Sequence, residues 1–258
     1  MKHDRLNRPF LFLLLASLSL VQPVAALAAD MRLYAAAGVK APLEEIARHY
    51  QQTSGQRVLL VFDTAGAAER RFIADEGATF LVTTEVRLRA AEAAGTLRNG
   101  DTIAIGATIG GIAVRPGGKR PDISTPDALR DALLAAPRIA FSDPARGATV
   151  GRHFMQVIED LGIRDAVMAK ATLAADGIAT MHLVLDGKAD LGVTQVSEIM
   201  QADPAALLGP FPGRFDLASH YALWLRADAP AEAKAFAALI ASGAERERLR
   251  RYGLRPAQ

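Results

Sequence analysis

The chain predicts an α/β fold of two lobes, each a mostly parallel sheet flanked by helices, joined by a two-segment hinge. Three observations carry that expectation. Short apolar runs with strand character alternate with amphipathic helical stretches from Asp30 onwards. Four of those runs end in turns of small residues that lead into helices: Ala36-Ala37-Gly38-Val39, Asp63-Thr64-Ala65-Gly66, Ser142 through Thr149, and Ala175-Asp176-Gly177. Two Gly-rich breaks, near 106–112 and 208–214, bracket a self-contained central block.

Taken in order, Arg32–Ala36 reads as a strand and Pro42–Gln52 as a helix. Pro42 suits a first helical position, and Leu43, Ile46, Ala47 and Tyr50 share one face. Gly55 stops that helix, and Arg57–Phe62 is the next strand. Ala67–Ala74 is helical, Thr79–Thr83 a third strand, and Leu88–Ala94 a short helix closed by Gly95. The run Gly106–Val114 breaks the rhythm, and Pro116-Gly117-Gly118 with Pro121 makes an exposed turn. Thr125 and Pro126 cap a helix carrying Leu129, Leu133 and Leu134. Arg138–Ser142 is a strand, and Val150–Leu161 a helix with Phe154, Val157, Ile158 and Leu161 in register. Ile178–Leu185 is helical and Asp190–Thr194 a strand. Ser219–Leu225 is the last strand, with Trp224 expected in the core, and Ala231–Arg251 is helical with an interruption at Ser242-Gly243. The breaks place lobe 1 at 29–108 and 212–258, and lobe 2 at 109–211.

The first residues read as a segment removed before folding. Lys2, Arg5 and Arg8 precede an apolar run from Phe10 to Val21, and Ala26-Leu27-Ala28 has the small residues a signal peptidase reads. Residues 1–28 are therefore expected to be a signal peptide, and the mature protein periplasmic. Lys2, Arg5 and Arg8 against Asp4 account for the whole formal charge of +2, so the mature chain is neutral. A neutral chain removes the electrostatic support for nucleic-acid binding. Absence of cysteine excludes disulfides, thiol–metal chemistry and lipid attachment through a cysteine. No cofactor and no metal site is expected, and His49 and His220 are too scattered to suggest one. A monomer is expected.

The four turns carry the chemistry. Each leaves the first N–H groups of a helix without intrahelical partners, at the positive end of the helix dipole. Such turns form ready sites for an anion, and in open α/β sheets they lie at the carboxyl ends of the strands, where ligands bind. Convergence of several would hold a small anion almost entirely with backbone, and a hinge would let the lobes close on it.

The opening RLYAAAGVKAPLEEIARHYQQTSGQRVLLVF resembles that of the molybdate-type periplasmic solute-binding proteins, the receptors of ABC importers. GGIAVRPG, PDISTPDALRDALLAAPRIAFSDPARGATVGRHFMQVIEDLGI and GKADLGVTQVSEI are similar to the second lobe of that group. The resemblance spans Met31 to about Pro256 and implies a membrane permease as partner. It also implies an oxyanion site at Gly38, Ala65, the backbone around Ala148 and Gly177, and the side chain of Gln195. The family usually has serines in the first two turns and often tyrosine at the last position, where this chain has Gly38, Ala65 and Gln195. Thr64, Thr149 and Arg146 are the candidates to add specificity.

A branch of the superfamily resembles periplasmic aconitate isomerases. A tricarboxylate would want guanidinium partners, which Arg70, Arg71, Arg146 and Arg152 would supply from in or just after the turns. An isomerase also needs a base. Asp63 and His182 are the candidates, with Asp176 and His153 next; Asp176 equally reads as a helix N-cap, and both histidines as ordinary helix positions.

Overall fold

The computed structural model describes residues 31–257; the expected signal, residues 1–28, lies outside them. Its first half repeats strand and helix: β1 (Met31–Ala36), α1 (Lys40–Ser54), β2 (Val58–Asp63), α2 (Ala65–Ala74), β3 (Ala78–Thr84) and α3 (Glu85–Ala93). A long β4 (Gly100–Val114) leads into α4 (Pro126–Ala135), β5 (Ile139–Ser142), α5 (Thr149–Asp160), α6 (Arg164–Met168), β6 (Ala171–Ala174) and α7 (Gly177–Leu185). Then follow β7 (Leu191–Gln195), α8 (Val196–Ala202), β8 (Leu207–Pro210), β9 (Ala218–Arg226), α9 (Ala231–Ala241), α10 (Arg246–Arg251) and β10 (Arg255–Pro256).

Helix periodicity sets which face each element buries. Leu43, Ile46, Ala47 and Tyr50 of α1 are buried, and Gly55 ends the helix in the left-handed region at φ 74°. Val150, Phe154, Val157 and Ile158 form the buried stripe of α5. Thr125 caps α4 by accepting from the Ala128 N–H at 3.1 Å. Pro126 stands at its first position.

The strands lie in the order β2-β1-β3-β9-β4-β7-β5-β6. β1 is parallel to β2 and β3, and β5 is parallel to β6 and β7. β9 runs antiparallel to β3 and β4, and β4 antiparallel to β7. One large core takes residues from both ends of the chain, with Phe80 against Phe236 at 5.4 Å and Tyr50 against Phe236 at 5.2 Å between ring centroids. A second takes residues only between Ile112 and Phe215, around Phe141 and Phe154 at 5.0 Å. Two separate cores on one continuous strand network make the two-lobed α/β architecture. Trp224 is buried and meets Phe72 edge-on at 5.6 Å.

The Gly-rich run Gly106–Val114, expected as a break, is the C-terminal part of the continuous strand β4. Residues Gly100–Ile109 pair with β9, and from Gly110 the strand turns to β7 and β8. Glycine serves close approach here: a Cβ on Gly111 would lie 2.7 Å from Val196, and one on Gly110 would lie 2.8 Å from the Phe211 ring. The short elements α6, β6, α8 and β8 were not legible, because four to seven residues do not establish a period.

Candidate functional site

The ends of β1, β2, β5 and β6, with the helices α1, α2, α5 and α7 that follow them, converge on one cavity. Its wall includes Gly38, Thr64, Ala65, Ala148, Thr149, Gly177 and Gln195, seven of the residues singled out from sequence, joined by Ser142, Thr194, Glu198 and Tyr221. The cavity leaves about 20 Å³ for the centre of a water-sized sphere to move in. That admits a body about 3 Å in radius, roughly the size of four oxygens around one central atom. The residues on its wall include no lysine, arginine or histidine.

The side-chain contacts of this wall divide into engaged and free groups. Thr64 caps α2 by accepting from the Ala67 N–H at 3.2 Å, and donates its own hydroxyl to the Arg146 carbonyl at 2.6 Å. Gln195 donates from Nε2 to Ser219 Oγ at 2.8 Å. Its Oε1 is buried without a hydrogen-bond partner, as is Thr149 Oγ1. A buried polar atom left unpaired costs about 1–3 kcal/mol, so both mark positions suited to a bound polar group. Asp176 accepts from the Ala179 N–H at 2.8 Å and is the N-cap of α7.

Glu198 is the charged residue on the wall, and its position in the third place of α8 gave no signal in the sequence. Its Oε2 accepts from the Thr194 hydroxyl and from the Gln195 N–H at 3.1 Å, the return half of a capping box. The Gly177 N–H at the start of α7 also bonds to this carboxyl. Burial outweighs these donors and, with Asp176 nearby, pushes the carboxyl up to about 7. Gly177 must be glycine, because a Cβ there would lie 1.9 Å from Oε2.

Tyr221, on β9, was likewise missed. A Cβ on Gly38 would lie 2.5 Å from the Tyr221 hydroxyl and 3.3 Å from Ser197 Oγ. The phenol therefore occupies the space that a side chain at Gly38 would need, and brings a hydroxyl to the first turn from another strand. Burial, and then the Glu198 charge, raise the Tyr221 hydroxyl well above its ordinary range, so it remains a neutral donor.

The arginines expected to reach a ligand are turned elsewhere. Arg146 donates to Asp63 Oδ1 at 2.9 Å and to the Ala175 carbonyl at 2.9 Å. Arg71 meets Asp63 Oδ2 at 3.0 Å, and Arg70 donates to the Arg146 carbonyl at 3.1 Å. None of the three, nor Asp63, lines the cavity. They form a latch: the turn 143–147 docks on the start of α2, where the Gly66 N–H donates to the Gly147 carbonyl at 3.2 Å. The physical reason is that the buried Asp63 carboxylate needs compensation, and two guanidinium groups lie within reach. Gln201 of α8 makes a second tie across the cleft, accepting from the Ala41 N–H at 2.7 Å and donating to the Gly38 carbonyl at 3.0 Å. His182 is exposed on α7, and His153 contacts the Phe215 carbonyl, so neither is placed as a base at the cavity. No cluster of ligating side chains suited to a metal occurs among the described residues.

A family model described as bacterial extracellular solute-binding protein matches residues 31–255. The chain belongs to that family. Among curated relatives of this solute-binding protein, an aconitate isomerase of a Pseudomonas species is 27% identical over 254 residues, covering 95% of this chain and 94% of that one. Among solved structures, the periplasmic molybdate-binding protein of Azotobacter vinelandii superposes with a TM-score of 0.71 at 18% identity, covering 89% of this chain and 100% of the other. A substrate-binding protein of Clostridium perfringens solved with bound phosphate gives 0.69 at 9% identity, with coverage of 89% and 100%. These structural likenesses establish the two-lobed fold of the solute-binding protein.

Proposed function

We propose that the protein is a periplasmic receptor that closes its lobes around a small anion and presents it to the permease of an ABC importer. The observation that carries this reading is the convergence of four strand ends and helix N-termini on one cavity of oxyanion size. The first helical N–H groups of α5 and the Ala65 N–H that opens α2 have no intrahelical partners and give a bound anion its donors. Thr149 and the Tyr221 hydroxyl add side-chain donors, while the small side chains of Ala65 and Ala148 let the ligand approach the backbone. The ties at Asp63–Arg146 and at Gln201 hold the closed state. The predicted signal peptide supports export, and bound anions in fold neighbours support the ligand class.

A second reading, an isomerase acting on an aconitate-like acid, is favoured by Glu198. A buried carboxyl that titrates near neutral pH is suited to take and return a proton. The full-length relative supports it as well. Against it stand the absence of cationic side chains from the wall and the size of the cavity, which in this closed state is too small for a tricarboxylate.

Thermal unfolding of the mature protein with molybdate, tungstate, sulfate, phosphate, citrate and both aconitates separates the two. A receptor at a thousandfold excess over Kd gains about 4 kcal/mol, a clear rise in Tm with no turnover. Interconversion of cis- and trans-aconitate, followed by proton NMR, would replace the receptor with the enzyme. No shift with any anion would remove the anion reading.

A further inference from the structure

The cavity carries acceptors as well as donors, which a site for a bare oxyanion does not need. Sulfate and molybdate at neutral pH have only acceptor oxygens, so each acceptor on the wall faces one of them unpaired. Glu198 presents a carboxyl whose Oε2 already takes the Thr194 and Gln195 donors, and the Gly177 N–H bonds to the same group. The Thr194 hydroxyl and the Gln195 N–H both go to Oε2 and leave Oε1 without either of them. Gln195, 4% exposed, presents the unpartnered Oε1. We propose that Glu198 and Gln195 make this site selective for an anion that brings its own O–H donor, of which hydrogenphosphate is the simplest, over fully ionised oxyanions of the same size. The proposal rests on the anion-capture reading and names the ligand class of that same cavity.

The physical basis is a difference between two pairings. An O–H on the ligand donates to the Glu198 carboxylate in a short, charge-assisted bond. A bare oxygen in the same place sets like charge against like charge beside a buried carboxylate. No cation on the wall offsets that repulsion. The titratable groups facing Glu198 are Asp176 at the start of α7, which disfavours its ionised form, and Tyr221 on β9, which stays neutral. Selectivity is therefore a property of ionised Glu198 and weakens when the carboxyl takes up a proton.

The test is calorimetric titration of the mature wild type and of Glu198→Gln with phosphate, sulfate and molybdate at pH 8. The expected result is that wild type binds phosphate at least about 100-fold more tightly than either bare oxyanion, and that Glu198→Gln brings the three within about 10-fold. A second measurement needs no variant. Sulfate keeps one charge state between pH 8 and pH 5.5, so its binding to wild type strengthens as the pH falls through the range where Glu198 protonates. Equal wild-type affinity for phosphate and sulfate at pH 8 overturns the selectivity while leaving anion capture in place. So does a pH-independent sulfate affinity, or a ratio unchanged in Glu198→Gln. Failure of all three anions to bind either protein overturns the capture reading and the selectivity with it.

Discussion

Replacing Glu198 by glutamine should stabilise the protein at alkaline pH and leave it nearly unchanged in acid. The carboxyl is buried against Thr194, Gly177 and Tyr221, and burial raises it from an ordinary 4.5 to about 7. The folded chain thus binds this proton more tightly than the unfolded chain does. Its contribution is fully present below about pH 4.5 and is lost as the pH rises through 7. A shift of this size corresponds to about 3 kcal/mol of stability lost by pH 8, when the buried group ionises. Glutamine removes the ionisation and keeps an amide oxygen to accept from the Gln195 and Gly177 N–H groups. Urea unfolding at pH 5 and pH 8, with wild type and variant compared at each, isolates this one group from every other titrating carboxylate. The expected difference is about 3 kcal/mol in favour of the variant at pH 8 and under about 1 kcal/mol at pH 5, with an unchanged m value. In thermal scans the alkaline difference is a rise of roughly 6–12 °C. Parallel pH profiles for the two proteins would refute the assignment of a buried, proton-holding carboxyl at the cavity.

Two further perturbations follow from the same geometry. A Cβ at Gly38 meets the Tyr221 hydroxyl at 2.5 Å, so Gly38→Ala should cost about 1–3 kcal/mol. Adding Tyr221→Phe should recover part of that cost, and a double-mutant cycle that shows no coupling would sink the contact. Asp63→Ala deprives Arg71, Arg146 and the Thr64 N–H of their shared acceptor. The half-exposed arginines lower the penalty of that buried site to about 1–3 kcal/mol, read by urea unfolding. Small-angle scattering should also show a larger radius of gyration as the latch between turn 143–147 and α2 opens; an unchanged radius would remove the latch from the closing mechanism.

Much of this fold was legible because its long elements are strongly patterned. The apolar stripe Leu43-Ile46-Ala47-Tyr50 and the stripe of α5 specify helices without help from the rest of the chain. The four small-residue turns were visible for the same reason: each stands between a strand run and a helix start. The wall of the cavity was therefore legible wherever backbone forms it, at Gly38, Ala65, Ala148 and Gly177. Side chains were another matter. Arg146, Arg70 and Arg71 stood at suitable positions, yet sequence order does not show that Asp63, about 80 residues from Arg146, draws Arg146 and Arg71 away from the cleft. Glu198 looked like part of an unremarkable short segment, because a seven-residue helix gives no period and a buried carboxylate has no local signature.

Local periodicity and turn chemistry decided that this chain is an α/β protein with helix starts gathered at strand ends, since those properties depend on neighbours three or four residues away. Only tertiary packing decided what stands inside the cavity. β9 carries the Tyr221 hydroxyl into the space above Gly38, and α8 seats Glu198 against the start of α7. Both placements depend on elements brought together by tertiary packing, and burial there, rather than residue type, raises the Glu198 carboxyl to about 7.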